Sequence, residues 1–403
     1  MSLPVSRFDN SLPLLRSRMP ELDTLRGIAV LLVLFFHGFY FATLADRFHG
    51  PVRWFVMATD MGWMGVNLFF VLSGFLITGI LLDGRNDSGY YRRFYVRRAL
   101  RILPAYYGFL LLLFAIVRLG LVNRQTSWQF LGVSLVYLSN VSILFGVPSQ
   151  YGALWSLSVE EHFYLLWPAA VRNVSRRFLA WTCVLIIVVC PLLRAFYYWR
   201  HYEYGAGYTW LVADGLAWGA LLALLARGKV SSRRGMARFG AICLAGTAGL
   251  VVVLLPFGIA SSRTMAGGLL IVSVINSFFA GALALALVLG SGPWKGVFNL
   301  RVLKFFGEIS YGLYLVEMLA FDVVDRILGH WGLQVSHTRG SFAVVLLRFA
   351  LAATLATTVA YLSRRYYEEP FLRLKHKFER GKVRASEKQD AEEEVALETK
   401  AAS

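Results

Sequence analysis

Charged side chains are scarce in this sequence. Asp, Glu, Lys and Arg make up 16% of the 403 residues, where an ordinary globular domain carries about 25%. Acidic residues are scarcer still, 24 against 41 basic ones, for a net charge of +17. No zinc-finger spacing or compact basic domain gathers that excess, so no nucleic-acid partner is expected. There are three cysteines, Cys183, Cys190 and Cys243, each inside an apolar stretch. That excludes a disulfide framework and a cysteine-based metal site, and no metal ligand set is expected. The first 20 residues hold Arg7, Arg16 and Arg18 but no apolar core, unlike a cleaved signal peptide. No G-x-S-x-G elbow, P-loop, dinucleotide fingerprint or HExxH occurs, which excludes a cofactor held by those devices. No internal repeat is evident.

What is abundant is apolar surface. Hydrophobic residues make up 57% of the chain, with 30 Phe, 19 Tyr and 11 Trp, and mean hydropathy is +0.56. Eleven apolar segments lie near 27–45, 62–82, 103–122, 128–145, 153–171, 178–199, 210–227, 238–260, 268–290, 301–327 and 341–363. Most approach the ~20 residues that a helix needs to cross a bilayer, and the links between them leave no room for a soluble domain. The expected fold is an all-α, multi-pass integral membrane protein.

Lys and Arg set the expected topology. The stretches 1–26, 83–101, 172–177, 227–238, 295–304 and 364–403 hold 31 of the 41 basic residues, so they are assigned to the cytoplasmic side. The connections near 46–61, 200–209, 261–267 and 328–340 are poor in basic residues and face outward. With both termini cytoplasmic the number of crossings is even, and eleven segments cannot all cross. Residues 128–145, with their Ser, Asn and Gln, are the weakest and are assigned as re-entrant or interfacial. The expectation is about ten transmembrane helices.

Ionisable groups at membrane depth are costly and mark candidate sites. His37 follows Arg26 by eleven residues, about 16 Å and close to three turns along one helix, so both side chains share a face. An imidazole there can accept and return a proton, although a histidine bonded only to a neighbouring helix fits the same position. In YYRRFYVRRALRILPAYY, Arg98 and Arg101 lie three apart where the helix enters the apolar segment, suited to binding phosphates. Arg92 and Arg93 read as topology-setting charge. Glu160, Glu161 and His162 are consecutive between Trp155 and Trp167. A carboxylate there could orient an imidazole or bind a hydroxyl, and the cluster could equally be structural at an interface. The second segment is rich in small residues, Gly62, Gly65, Ser73, Gly74 and Gly79, with Asn67 as its polar exception. These allow close helix packing or a passage for substrate, and small-residue faces also leave room for a homodimer. Asp214, Glu308, Glu317, Asp322 and Arg348 complete the polar set, with a Glu317–Arg348 pair conceivable. His49, His201, His330, His337 and His376 fall in loops or the tail and read as non-functional.

Five blocks, taken together and in order, resemble the membrane acyltransferase-3 family of bacterial integral-membrane O-acyltransferases: ELDTLRGIAVLLVLFFHG, MGWMGVNLFFVLSGFLI, YYRRFYVRRALRILPAYY, LWSLSVEEHFYLLWP and FFGEISYGLYLVEML. The resemblance spans about residues 21–372. It implies a multi-pass protein of the bacterial inner membrane, with a segment 1–20 before the acyltransferase domain and a charged cytoplasmic tail 373–403 after it. The implied activity is transfer of an acyl group, commonly acetyl, from acyl-CoA to a hydroxyl of a saccharide, glycolipid or glycosylated small molecule, with no permanently bound cofactor. The resemblance assigns His37, Glu160 and Glu161 to catalysis and Arg26, Arg98 and Arg101 to the donor. Asn67, Ser73, Tyr107, Trp155, Tyr311 and Glu317 are candidates for lining the substrate path. The expected mechanism has the arginines hold the CoA phosphates while His37, oriented by Glu160 or Glu161, deprotonates the acceptor. In two respects the chain departs from the pattern: many members have His where Glu317 stands, and the extra C-terminal hydrolase-like domain of some members is not expected here. The alternative is a transporter or flippase of a glycolipid or small solute.

Overall fold

The computed structural model describes residues 15–16, 19–43, 45–122, 126–200, 207–228, 231–257, 265–290, 296, 298–333 and 341–374. Most of the expected segment 1–20, the tail beyond residue 374, and His201, His337 and His376 lie outside the described residues. Among the described residues there is no strand; the elements are α1 (Pro20–Phe35), α2 (Gly50–Asp60), α3 (Met64–Asp83), α4 (Tyr90–Arg118), α5 (Trp128–Leu135), α6 (Leu154–Asn173), α7 (Arg176–Trp199), α8 (Thr209–Val212), α9 (Asp214–Ala226), α10 (Arg233–Leu254), α11 (Met265–Leu289), α12 (Arg301–His330) and α13 (Phe342–Leu362).

Among the described residues, seven helical stretches are long and apolar enough to cross a membrane: Pro20–Tyr40, Gly50–Asp83, Tyr90–Arg118, Arg176–Trp199, Arg233–Leu254, Leu270–Leu289 and Phe342–Leu374. Helices α6, α9 and α12 are not among them. The first carries Glu160, Glu161 and His162 in mid-helix, the second has 13 residues, and the third is 30 residues long but studded with ionisable side chains. Residues 128–145 break into the eight-residue α5 and a 3-10 turn, Ser139–Phe145, each far short of the ~30 Å hydrocarbon layer. One connection differs from expectation. Part of 46–61 is helical, and α2 runs through a single 3-10 turn into α3.

Local chemistry explains the boundaries. Ser127, Ser175 and Ser232 begin α5, α7 and α10 by accepting from the backbone N–H three residues on. In lipid, helix association rests on close packing rather than on hydrophobic expulsion, and small residues decide who approaches whom. A Cβ on Gly27 would overlap the backbone of Leu303, and one on Gly307 the backbone of Asp23, so α1 and α12 lie parallel and nearly in backbone contact. The glycines of the second segment serve packing in the same way: Gly62 and Gly65 meet α1, and Gly74 meets α9. Two large apolar cores result. One joins α1, α4, α6, α12 and α13 through Val30, Tyr106, Leu154, Leu313 and Ala356. The other joins α1, α3, α9, α10 and α11 through Leu25, Leu72, Leu222, Met236 and Leu283. Helix α1 contributes to both. The three cysteines are buried and free.

Asp214 finds an anchoring partner the sequence reading did not name. Arg194 is fully buried with it, donating from Nη2 to Oδ2 at 3.0 Å and from Nη1 to Oδ1 at 3.3 Å, while Ser273 donates to Oδ2 at 2.7 Å and Leu211 O accepts from Nη1. Asp214→Asn leaves a buried guanidinium without its counter-charge, and the expected loss is about 3–5 kcal/mol. Thermal unfolding in detergent checks this. The double replacement Arg194→Met with Asp214→Leu should recover most of the deficit.

Candidate functional site

Helix α1 does not remain α-helical where His37 sits. Residues Phe36–Tyr40 form a π turn, closed by Phe41 N–H donating to Phe36 O at 2.9 Å, a local widening frequent at functional positions. The Gly38 carbonyl is taken by Arg348 Nη1 at 3.2 Å, and Arg348 is held in turn by Asp325 at 2.5 and 2.8 Å. So α12 and α13 together fix the turn that carries His37. The conceivable Glu317–Arg348 pair does not form, because Asp325, two turns further along α12, takes the guanidinium.

Glu317 instead faces His37. Nδ1 and Oε1 lie 2.8 Å apart, with the carboxylate fully buried and the imidazole 16% exposed. With the carboxylate ionised it only accepts, and Nδ1 then carries the proton while Nε2 keeps its lone pair. The pair exists because α1 and α12 are parallel and in close contact: Gly27 meets Gly307, and ten residues later on both helices His37 meets Glu317. Glu317 Oε2 is buried without a hydrogen-bond partner. The carboxylate on His37 is therefore Glu317, not the expected Glu160 or Glu161.

Those two carboxylates belong to Arg98. Glu160 Oε2 and Glu161 Oε1 lie 4.0 and 3.9 Å from its guanidinium, which rests over the Tyr164 ring, 3.0 Å from the centroid. Ser73 Oγ donates to Glu160 Oε1 at 2.9 Å and Tyr164 Oη to Oε2 at 2.6 Å. Thus Ser73 acts on Glu160 rather than on open space. Tyr314, whose hydroxyl pairs with Ser156 Oγ at 2.7 Å, lies within electrostatic range of both Glu160 and Glu317 and links the two polar groups.

Below them are arginines with little to neutralise them. Arg101 lies within electrostatic range of Arg26, Arg98 and Arg364. Arg26 bonds Asp23 at 3.0 Å. Arg364 has Glu369 at 3.8 Å, with its Nη1 buried and without a hydrogen bond. Arg101 itself makes no hydrogen bond or ion pair among the described residues and is exposed to open space. Three helices, α1, α4 and the end of α13, thus bring four guanidiniums together, a natural seat for a polyanion.

The remaining candidates separate. Asn67 Nδ2 donates to Asn276 Oδ1 at 2.8 Å inside the bundle, away from the dyad. Tyr107 bonds the Leu135 carbonyl at 3.0 Å, and Trp155 packs edge-on against Phe70; both read as structural. Tyr311 keeps a buried hydroxyl with no partner. His162 donates from Nε2 to Tyr137 O at 3.0 Å and accepts on Nδ1 from Thr209 at 2.7 Å, a satisfied structural histidine. Glu308 is exposed on α12. Sequence reasoning missed Arg364, counted as tail charge, and Tyr164 and Tyr314. A helical wheel of α6 finds the first tyrosine, four residues after Glu160; no local signal finds the other two.

Comparison with known proteins gives one family. Its model, for an acyltransferase domain of the acyltransferase-3 type, matches residues 19–365. The putative peptidoglycan O-acetyltransferase YrhL of Bacillus subtilis is 37% identical over 164 residues, 37% of this chain and 23% of that protein. The peptidoglycan O-acetyltransferase OatA of Listeria monocytogenes is 28% identical over 330 residues, 74% of this chain and 49% of that protein. A putative O-acetyltransferase of Staphylococcus aureus is 26% identical over 384 residues, 88% of this chain and 57% of its own length. The chain therefore spans about half the length, or less, of the curated relatives it matches. No solved structure matches the chain.

The arginine cluster makes a direct prediction. Adenosine 3′,5′-bisphosphate should raise the Tm of the purified chain, and Arg101→Gln or Arg364→Gln should each weaken its binding about 10- to 100-fold, the worth of a charge-assisted hydrogen bond. Titration calorimetry at fixed ionic strength measures this, and unaltered affinity in both variants would remove the cluster as an anion site.

Proposed function

This chain belongs to the acyltransferase-3 family, and from that premise we propose that it is a membrane O-acyltransferase moving a short acyl group, acetyl above all, from acyl-CoA to a hydroxyl of a saccharide, glycolipid or glycosylated small molecule. The names of two relatives, which specify peptidoglycan, favour a cell-envelope saccharide as the acceptor. In this reading α6, α9 and α12 cross the bilayer with the seven apolar stretches. That makes the ten crossings and two cytoplasmic termini of the charge count, in a bacterial inner membrane, with 21–372 as the catalytic domain between a short leading segment and a charged tail.

The observation that carries the reading is the hydrogen bond between His37 and buried Glu317. With Nδ1–H engaged, Nε2 is left as a base of fixed direction. It takes the proton of the acceptor hydroxyl as that oxygen attacks the thioester carbonyl carbon. The tetrahedral intermediate collapses, the C–S bond breaks, and the leaving thiolate takes the proton from the imidazolium. Glu317 stabilises that imidazolium while it lasts and holds its ring in place. Arg26, Arg101 and Arg364 bind the phosphates of the donor at the other end, where Arg26 lies about 16 Å from His37 by helical rise along α1. Arg98, set on Tyr164 and flanked by Glu160 and Glu161, lies between the two ends.

Purified chain supplied with acetyl-CoA and an envelope-glycan acceptor should release CoA only when the acceptor is present. His37→Ala should lower that rate about 10²–10⁴-fold, the usual worth of a positioned general base. Release that does not depend on acceptor, or that survives His37→Ala, overturns the reading. Glu317→Gln keeps a hydrogen-bond acceptor but removes the charge, and kcat should fall about 10- to 100-fold with the KM for acetyl-CoA unchanged. Steady-state kinetics of the two variants side by side separate the base from the group that positions it.

A further inference from the structure

Three hydrogen-bond donors stand idle in one place between the arginine cluster and the His37–Glu317 pair. The Tyr137 and Tyr311 hydroxyls and Arg98 Nε are each buried and bonded to nothing. Such groups are rare in folded proteins, since each forfeits its hydration without replacement. Tyr137 is 9% exposed and stacks on Tyr106 at 4.1 Å, and Tyr311 packs against the same core. Glu160 Oε2 and Glu161 Oε1 lie 4.0 and 3.9 Å from the Arg98 guanidinium, and Glu161 is also within electrostatic range of both phenols.

Tyr137 is also held where a tyrosine is out of place. Its φ is +57°. The Tyr137 and Leu138 N–H groups bond back to Ser134 and Val133, so it occupies the left-handed position after α5 that glycine ordinarily fills. Glycine there would end α5 without strain. What the tyrosine adds is a ring stacked on Tyr106 and a hydroxyl aimed into the bundle. His162, donating to the Tyr137 carbonyl at 3.0 Å, holds that conformation.

We propose that Tyr137, Tyr311 and Arg98 form a hydrogen-bonding station for the amide-bearing pantetheine arm of the acyl-CoA donor, with their three donors on the arm's carbonyl and hydroxyl oxygens and Glu161 accepting from an amide N–H. This rests on the proposed donor. Position favours the arm over the acceptor. Tyr311 precedes Glu317 by six residues on α12, about 9 Å of axial rise, and Arg98 belongs both to this group and to the arginine cluster. A linear molecule with phosphates on the arginines and a thioester at His37 must pass between them, and a chain of amides there meets donors that are otherwise unsatisfied.

The test compares two probes on the full chain in nanodiscs. CoA carries the arm, and adenosine 3′,5′-bisphosphate carries only phosphates and nucleoside. Tyr137→Phe and Tyr311→Phe keep ring packing and remove one hydroxyl each. Each should weaken CoA binding about two- to tenfold, the range for a neutral hydrogen bond, and leave bisphosphate binding within twofold of wild type. Equal weakening of both probes means a structural role and overturns the proposal. So does unchanged CoA affinity with a raised KM for the acceptor, which would make this an acceptor-hydroxyl subsite. Wild-type chain that binds the bisphosphate but gains nothing from the arm of CoA overturns it as well. Failure of the acyltransferase reading looks different: there, acceptor-dependent CoA release is absent from wild type.

Discussion

A polar atom inside an apolar bundle must be given a partner, and the arrangement of this protein follows from how that demand is met at His37. The imidazole is satisfied by Glu317 only because two glycines let α1 and α12 run almost in backbone contact. Arg348 is satisfied by Asp325 and by the carbonyl that the π turn at His37 sets free. The packing of α1, α12 and α13 and the orientation of one histidine are thus a single arrangement. Moving any of the three helices by one turn would leave a charge or a carbonyl alone in a medium that does not solvate it.

The same demand goes unmet elsewhere, and the pattern of unmet groups has a direction. At one end Arg101 makes no ion pair among the described residues, with only the Glu368 carboxylate in electrostatic range, and Arg364 Nη1 has no hydrogen-bond acceptor; in the middle two phenols and Arg98 Nε are idle; at the other end Glu317 keeps one free oxygen. The order runs from clustered positive charge, through two phenols beside one guanidinium, to a histidine with its carboxylate. A molecule with phosphates at one end, amides between and a reactive carbonyl at the tip is complementary to that order at every level. By contrast Asp214, Arg194 and Ser273 satisfy one another completely, which is what a purely structural charge pair in the same bundle looks like.

The helices were legible because apolar runs near twenty residues have few alternatives in lipid, and the family blocks fixed their order. An eleven-residue spacing put Arg26 and His37 on one face of α1, and the resemblance supplied the roles expected of them. Pairings between helices were not legible. His37 and Glu317 are 280 positions apart, and nothing local to either predicts the other. For that reason the pair conceived between Arg348 and Glu317 gives way to Arg348 with Asp325, and Glu160 and Glu161, expected beside His37, face Arg98 instead. Arg364 was hidden differently. It begins a run of tail-like charge, yet the π turn Ser363–Glu368 folds that run back against α4, where Tyr367 packs over Gly108. Helix α2 lies in the connection 46–61, which was read only for its lack of basic residues; its proline falls in the first helical turn, where it is well tolerated.

The carboxylate at position 317, where the family pattern often has histidine, bears on charge more than on shape. An imidazole in that place would hold His37 by a neutral hydrogen bond, and each proton taken from an acceptor would leave net positive charge buried in the bundle. With Glu317 ionised, the same proton turns a carboxylate and an imidazole into a compact ion pair of no net charge. In a low-dielectric interior that difference favours the protonated His37 that the proposed mechanism requires. The buried Oε2, left unbonded, keeps negative charge on the dyad available for that step instead of spending it on a neighbour. In the proposed mechanism Glu317 is the residue that offsets the charge His37 takes up.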